Sequence, residues 1–393
     1  MSYLTNNLQT QPIPKPLYTK LHHTTKASSM NHDLLTLQPD RPPVITSEIE
    51  LIRFYHDTNV KVAVQQMIAG TYVLVEEFYS NGLEVLAELK RTLLVYYTDT
   101  KFQGQRDFRS AFREASHRLL VEVKGHKLLV KKAPQIGWLE VLYPEVSDFY
   151  VSFPEVQGMN SAWQWYQKGI EVKTLGITLH PYYGTYFPTR FDHLTLFDKW
   201  LKKYTGSKEK AIEIGVGSGI LSFQLIQNGF KNIFATDTNK NAIIGVAQEC
   251  KRLGYEGDIT LNHGDLFENC DVKADVILFN PPWLLAKHTL EEGLDKAIYY
   301  EKELFPRFFE QALKHLTSEG KLVLLFSNLA QVIDEKSVHP IIEELQNHNR
   351  FRKELHLRRD VSASSKKTKR TDARENEKVE LWVLAPKEKE ALS

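Results

Sequence analysis

Between Lys210 and Gly229 the chain reads KAIEIGVGSGILSFQLIQNG, and its period changes partway along. A short apolar strand runs into a glycine-rich turn, and the turn opens an amphipathic helix. A strand that leaves its sheet through a helix returns parallel to itself, because the crossover consumes the reversal. The order then recurs: NIFATDTN before NAIIGVAQEC, then ITLNHGDLF, then VILFNPPWLL, and after a further helical stretch KLVLLFSN. Such alternation implies an α/β fold, a parallel sheet with helices on both faces. The chain shows no internal repeat.

In open sheets of this kind ligands bind outside the carboxyl ends of the strands, so the residues placed there are the candidates for chemistry. The first strand delivers Glu213, Gly215, Gly217 and Gly219. Glycines let a ligand approach the backbone, and the helix N-terminus offers free N–H groups. A dinucleotide fingerprint would place its third glycine at Ile220, so the spacing argues against NAD. The second strand ends in Asp237, at the acidic position that commonly holds ribose hydroxyls; it is also a fit helix N-cap, as is Asn239. The third places Asp265 and Leu266 at its end, and the fourth delivers Asn280, followed by Pro281, Pro282 and Trp283. Proline cannot donate to a ladder and restricts the residue before it, so Asn-Pro-Pro is a rigid corner where a parallel strand stops. Gly, Asp, Asp and Asn thus meet at one crevice.

Those residues resemble the motifs of the class I S-adenosylmethionine-dependent methyltransferases. Glu213 to Gly219, Asp237, the Asp265–Leu266 pair and the Asn-Pro-Pro-Trp of 280 to 283 look like the family's successive motifs, over roughly residues 165 to 386. The layout is also similar to the methyltransferase small-domain type. The resemblance implies a Rossmann-like seven-stranded sheet, closed by an antiparallel hairpin with strands near 351–360 and 379–386. It implies S-adenosylmethionine as cofactor, held by Glu213, Gly215, Gly217, Gly219, Asp237, Asp265, Leu266, Asn280 and Thr189. Within the family, Asn/Asp-Pro-Pro-aromatic marks enzymes that methylate planar amines: adenine N6, guanine N2 or the glutamine amide. The segment PYYGTYFPTR, ending in Pro188, Thr189 and Arg190, is similar to the one these enzymes place over cofactor and target. The loop after Trp283 does not carry the Pro-rich sequence of the glutamine-methylating relatives.

The corner then has a chemical reason. The lone pair of such an NH2 is delocalised into its π system, and the nitrogen gains nucleophilicity when acceptors hold both N–H bonds. The Asn280 side-chain oxygen and the Pro281 carbonyl are expected to be those acceptors, held rigidly by Pro282, with Trp283 stacking on the target.

Composition limits the rest. With 393 residues the chain is long enough for two domains, expected at 46–160 (a smaller α+β domain) and 161–393 (catalytic), after a weakly ordered arm over 1–45. The formal net charge is +1, so attraction to a polyanion has to be local. Cys250 and Cys270 alone exclude a disulfide framework and a Cys-rich zinc site, and His22, His23 and His32 lack metal-ligand spacing, so no metal is expected. There is no signal-like start and no run near the roughly 18 apolar residues of a membrane span. A soluble cytoplasmic protein without a membrane partner is expected.

Helical period is read in SEIELIRFYHDTNVKVAVQQMIAG and in DFRSAFREASHRLL, where Arg106, Arg109 and Arg113 form a stripe beside Phe108 and Phe112. LLVEVKGHKLLVKKA reads as a hairpin turning at Lys124 and Gly125. A long basic loop, 361–378, carries Lys366, Lys367, Lys369 and Arg370 after Arg358 and Arg359; with Arg190 these are the candidate substrate contacts, against the plainer reading of a solvated charged loop. The resulting expectation is N-methylation of an exocyclic amine of a nucleic-acid base, in RNA rather than DNA. The alternatives are a protein glutamine N5-methyltransferase, a small-molecule amine methyltransferase, and a catalytically silent scaffold that binds RNA or a partner. Oligomeric state is left open.

Overall fold

The structure is a computed structural model that describes residues 36–98, 102–188, 190–286, 297–361 and 376–387. An N-terminal mixed sheet is built from β1 (Val44–Ile45), β2 (Leu51–Phe54), β3 (Tyr72–Val75), β4 (Leu119–Lys124), β5 (Lys127–Leu128) and β6 (Phe149–Ser152). Its order is β1-β6-β4-β3-β2, with β5 hairpinned on β4. Between and after these strands run α1 (Val60–Ile68), α2 (Tyr79–Tyr96), α3 (Phe102–Ser116), α4 (Trp138–Leu142) and α5 (Phe153–Lys168). Their core gathers Val64, Met67, Val85, Leu89, Trp138 and Phe153, all nearly sealed from solvent.

A small hairpin, β7 (Ile170–Val172) and β8 (Ile177–Leu179), leads into the second unit. There follow α6 (Asp192–Leu201), β9 (Lys210–Ile214), α7 (Ile220–Gln227), β10 (Asn232–Asp237), α8 (Lys240–Leu253), β11 (Ile259–His263) and β12 (Ala274–Phe279). After the paired two-residue strands β13 (Leu284–Leu285) and β14 (Tyr299–Tyr300) come α9 (Leu304–His315), β15 (Leu316–Ser327), α10 (Leu329–Ile333), α11 (Pro340–Glu343), β16 (Phe351–Asp360) and β17 (Lys378–Pro386). The sheet has seven strands in the order β11-β10-β9-β12-β15-β17-β16, and only β17 runs antiparallel to its neighbours. This is the doubly wound architecture, with the hairpin strands where the sequence placed them.

Alternation along each strand feeds two cores. Val276, Leu278, Val323, Leu325, Leu381 and Val383 face one cluster with α6, α7 and α8; Ile277, Phe279, Leu324, Phe326, Trp382 and Leu384 face the other with the phenylalanines of α9. Burial on both faces is why these strands read as unbroken apolar runs.

Three expectations are corrected. Residues 51–54 are not helical: they pair parallel with Tyr72–Val75, and the helix starts only after Asn59, whose side chain accepts from the Lys61 amide. Strand pairing outweighs a helical period that was drawn across a turn. The second helix ends at Ser116, because Leu119 and Leu120 enter β4 beside Val73 and Leu74. The boundary drawn at 160/161 falls inside α5, whose Val156, Met159, Trp163 and Tyr166 all join the N-terminal core; the helix stops at Gly169, at a φ of 69°.

The end of the expected arm is tied down. The Asp40 amide donates to Asn241 Oδ1 at 2.9 Å, and Asn241 Nδ2 donates back to the Asp40 carbonyl at 2.7 Å. Two residues on, Tyr143 Oη donates to the Pro42 carbonyl at 2.7 Å, and Val44 pairs with Val151. A strap therefore joins α8 to the N-terminal sheet. Asn241 is buried, so Asn241→Ala leaves two backbone groups of the strap unpaired; the expected loss is about 1–3 kcal/mol, read as a lower urea midpoint.

Candidate active site

The glycine turn is built as its sequence requires. Gly215, Gly217 and Gly219 have φ of 69°, 50° and 78°, a region L side chains rarely adopt. At Gly219 a Cβ would also stand 2.9 Å from the Phe223 ring. Gly215 is open to solvent at the carboxyl end of β9. The segment 181–188 runs over the turn, its Tyr186 carbonyl 3.6 Å from where a Gly217 Cβ would lie, and Asn239 Nδ2 holds the Gly184 carbonyl at 2.9 Å. Thr189 lies outside the described residues.

Beneath the turn, Glu213 is 1% exposed and accepts from the Ser222 hydroxyl. Burial pushes its carboxyl up to about 8, against the hydrogen bonds from Ser222. Its expected place among the cofactor contacts is thus corrected: the side chain braces β9 against α7 from below. Leu266 is corrected likewise, since its side chain packs in the core with Phe267 and Phe308. What it offers the loop is a φ of 50° and a carbonyl that accepts from Thr236 Oγ1 at 2.7 Å.

Asp237 is the last residue of β10. Its Oδ2 accepts from the Gly217 amide and its Oδ1 from the Asn239 amide, both at 2.8 Å, so it clamps the glycine turn to the start of α8. Burial raises its carboxyl above the ordinary value, with those amides opposing. Asp265 follows β11, half exposed and paired with Arg307 of α9, a partner that no sequence pattern indicated.

On the other side of β9, β12 ends at Asn280. Its Oδ1 is buried and has no hydrogen-bond partner among the described residues. Pro281 is buried, Pro282 and Trp283 half-buried, and the Trp283 ring packs between the two sheet cores. A buried acceptor left unpaired costs about 1–3 kcal/mol and calls for a reason.

The candidate substrate cations are engaged elsewhere. Arg190 pairs with the buried Glu377 at 3.6 Å, Arg359 Nε with the buried Asp192 at 3.1 Å, and Arg358 Nε with the buried Glu380 at 3.2 Å. Hydrogen bonds from His339, His356 and Trp382 overcome burial and hold Glu380 well below the usual carboxylate range. Lys366, Lys367, Lys369 and Arg370 lie outside the described residues.

Residues 192–352 match the family described as the methyltransferase small domain. A candidate protein N5-glutamine methyltransferase of Methanocaldococcus jannaschii is 33% identical over 168 residues, 41% of this chain and 80% of that protein. The chain belongs to the methyltransferase small-domain family. It is also similar to a ribosomal protein L11 methyltransferase of Staphylococcus saprophyticus, 31% identical over 138 residues, covering 35% of this chain and 42% of that one. Among solved structures, the ribosomal protein L11 methylase of Lactobacillus delbrueckii is 19% identical with a TM-score of 0.36, covering 52% of this chain and 82% of that one.

This methyltransferase is therefore dependent on S-adenosylmethionine. Among the described residues no helix is long and apolar enough to cross a membrane. The strand-end residues form a cradle open at the backbone, with an acidic clamp on one side and, on the other, an acceptor without a partner among the described residues. The buried Glu213 gives a pH signature. Its folded pKa of about 8 lies above the ordinary 4.5, so the folded state holds the extra proton. The neutral carboxyl's contribution is complete below about 4.5 and is lost as pH rises towards about 8, by at most ~1.4 kcal/mol per pH unit. Glu213→Gln should flatten that fall, measured as the difference between the two proteins' melting temperatures from pH 5 to 9.

Proposed function

We propose that this methyltransferase N-methylates a planar, conjugated NH2 group, and that its substrate is a glutamine side-chain amide in a protein. The observation that carries the reading is the buried Oδ1 of Asn280, without a hydrogen-bond partner among the described residues, at a stiff Asn-Pro-Pro corner. S-adenosylmethionine supplies an electrophilic methyl on a sulfonium. Gly215 and Gly217 would let it approach the backbone, Asp237 would take ribose hydroxyls, and Asp265 Oδ1 would take the adenine amine. Asn280 Oδ1 and the Pro281 carbonyl accept the two N–H bonds of the target. That draws density onto the nitrogen and aims its lone pair, so positioning does the work of a base. Trp283 forms the flat wall against which the amide plane lies. Once methylated, the nitrogen is strongly acidic and its proton passes to water.

Two observations favour the amide over a nucleobase. The relative that this chain covers over 80% of its length carries a glutamine-methylating name. Arg190, Arg358 and Arg359 are each matched to a buried acid, so a polyanion at this flank would have to displace buried carboxylates. A second reading, an exocyclic amine in RNA, is favoured by the exposed Arg106 and Arg109 on α3 and Lys124 and Lys127 on the β4–β5 hairpin.

The test is transfer of labelled methyl from S-adenosylmethionine into an extract of cells lacking the enzyme. Label that survives nuclease, is lost to protease and is recovered as N5-methylglutamine is expected; label in N6-methyladenosine or N2-methylguanosine would establish the second reading instead. Asn280→Ala should reduce transfer about 10²-fold or more while cofactor affinity stays within about twofold. Loss of both together would make Asn280 a cofactor or structural residue and overturn the mechanism.

A further inference from the structure

Trp283 is held by a residue that no motif identified. His193, in the first turn of α6, is 5% exposed and meets the Trp283 indole edge-on, with centroids 6.0 Å apart and planes at 88°. Just before it in sequence, Arg190 pairs with Glu377 and Asp192 with Arg359. Glu377 immediately precedes β17 and Arg359 lies on β16, so two ion pairs fasten the start of α6 to the hairpin that ends the sheet. Both acids are buried, while their arginine partners are 28% and 41% exposed. α6 therefore cannot slide along the sheet without breaking them.

We propose that His193 is a positioning residue that sets the ring plane of Trp283, with Asp192–Arg359 and Arg190–Glu377 fixing His193 in turn. The proposal rests on the reading that Trp283 walls the target pocket. An edge-to-face contact is worth about a 2- to 10-fold preference for one ring orientation, sufficient to choose between arrangements of an indole half-buried between two cores. Burial pushes the imidazole down to about 4, with Asp192 opposing, so the edge that meets the indole is uncharged at neutral pH. A lysine or arginine at this place would stay charged, and an aliphatic side chain would leave the indole without an edge to meet. Arg190 and Arg359, which looked like substrate contacts, thus acquire a part in the site behind His193 and Trp283.

The first measurement needs no methyl acceptor. The emission of Trp283 is isolated as the difference between the full-length protein and its Trp283→Phe variant, then measured again in the His193→Ala background. A red-shifted, more quenchable Trp283 is expected, with cofactor affinity within about twofold of the parent and methyl incorporation into the extract lowered about 5- to 10-fold. His193→Phe keeps the edge contact and should restore both emission and rate; His193→Gln keeps polarity and bulk without the ring and should restore neither. Arg359→Ala should shift the emission in the same direction, by less. Unchanged Trp283 emission in His193→Ala, or equal rescue by Gln and Phe, overturns the proposal. Should His193→Ala fail to fold, the comparison of Phe with Gln decides alone. A shifted emission with no methyl entering protein would leave the positioning intact and reject the glutamine reading.

Discussion

The site depends on one topological constraint: β9 has β10 on one side and β12 on the other, and the chain leaves those strands in opposite directions. Loops that follow neighbouring strands normally crowd each other at the carboxyl edge; where the winding reverses they part and leave a crevice. The glycine turn leaves β9 on one side of that gap and the Asn-Pro-Pro corner leaves β12 on the other. Glu213 sits in register between Ala235 of β10 and Leu278 of β12, at the point of divergence, and its burial against Ser222 holds β9 to α7 there. A fully buried carboxyl is an expensive brace, tolerable because it is neutral at ordinary pH.

How much of this was legible follows from what each feature depends on. The order of strands and helices is written in local period, and the two-faced burial of Val276–Phe279 and Leu322–Phe326 shows in the sequence as continuous apolar runs, so the seven-stranded sheet could be read residue by residue. The glycines and the corner could be read because backbone geometry restricts which residue types fit. The direction of a side chain at a strand end was less accessible. Leu266 directly follows Asp265, yet its positive φ sends it into the core while its neighbour faces solvent. Leu51–Phe54 looked helical because apolar residues spaced across a turn imitate a helix face, and only β3 beside them makes them a strand.

The arginines were misjudged for a related reason. A cluster of cations in sequence says nothing about which acids fold back onto it. Glu377 and Asp192 are distant in the chain from their partners, Glu380 faces Arg358 across the β16–β17 hairpin, and all three are buried, so the balance of charge at this edge emerges only on folding. The nearly neutral total charge was the available hint, since a chain at +1 with 50 basic and 49 acidic residues has an acid for almost every base.

The N-terminal unit is usually the first place to look for substrate recognition in a two-part enzyme, but its visible contribution here is mechanical. Tyr182 packs on Trp138 of the N-terminal core, with centroids 4.9 Å apart, and from that anchor the chain runs directly over Gly217. From the other direction the strap at Asp40 grips Asn241, the Asn239 side chain accepts from the Asn241 amide and grips Gly184, and the Asn239 amide donates to Asp237, which takes the Gly217 amide. Both routes converge on the glycine turn, so the N-terminal core and that turn share one continuous hydrogen-bonded and packed frame. Methyl transfer depends on how the reacting groups are held in line, and geometry is held by whatever resists displacement. A second hydrophobic core fastened to the turn is such a resistance, which accounts for its attachment before any contact with substrate is invoked.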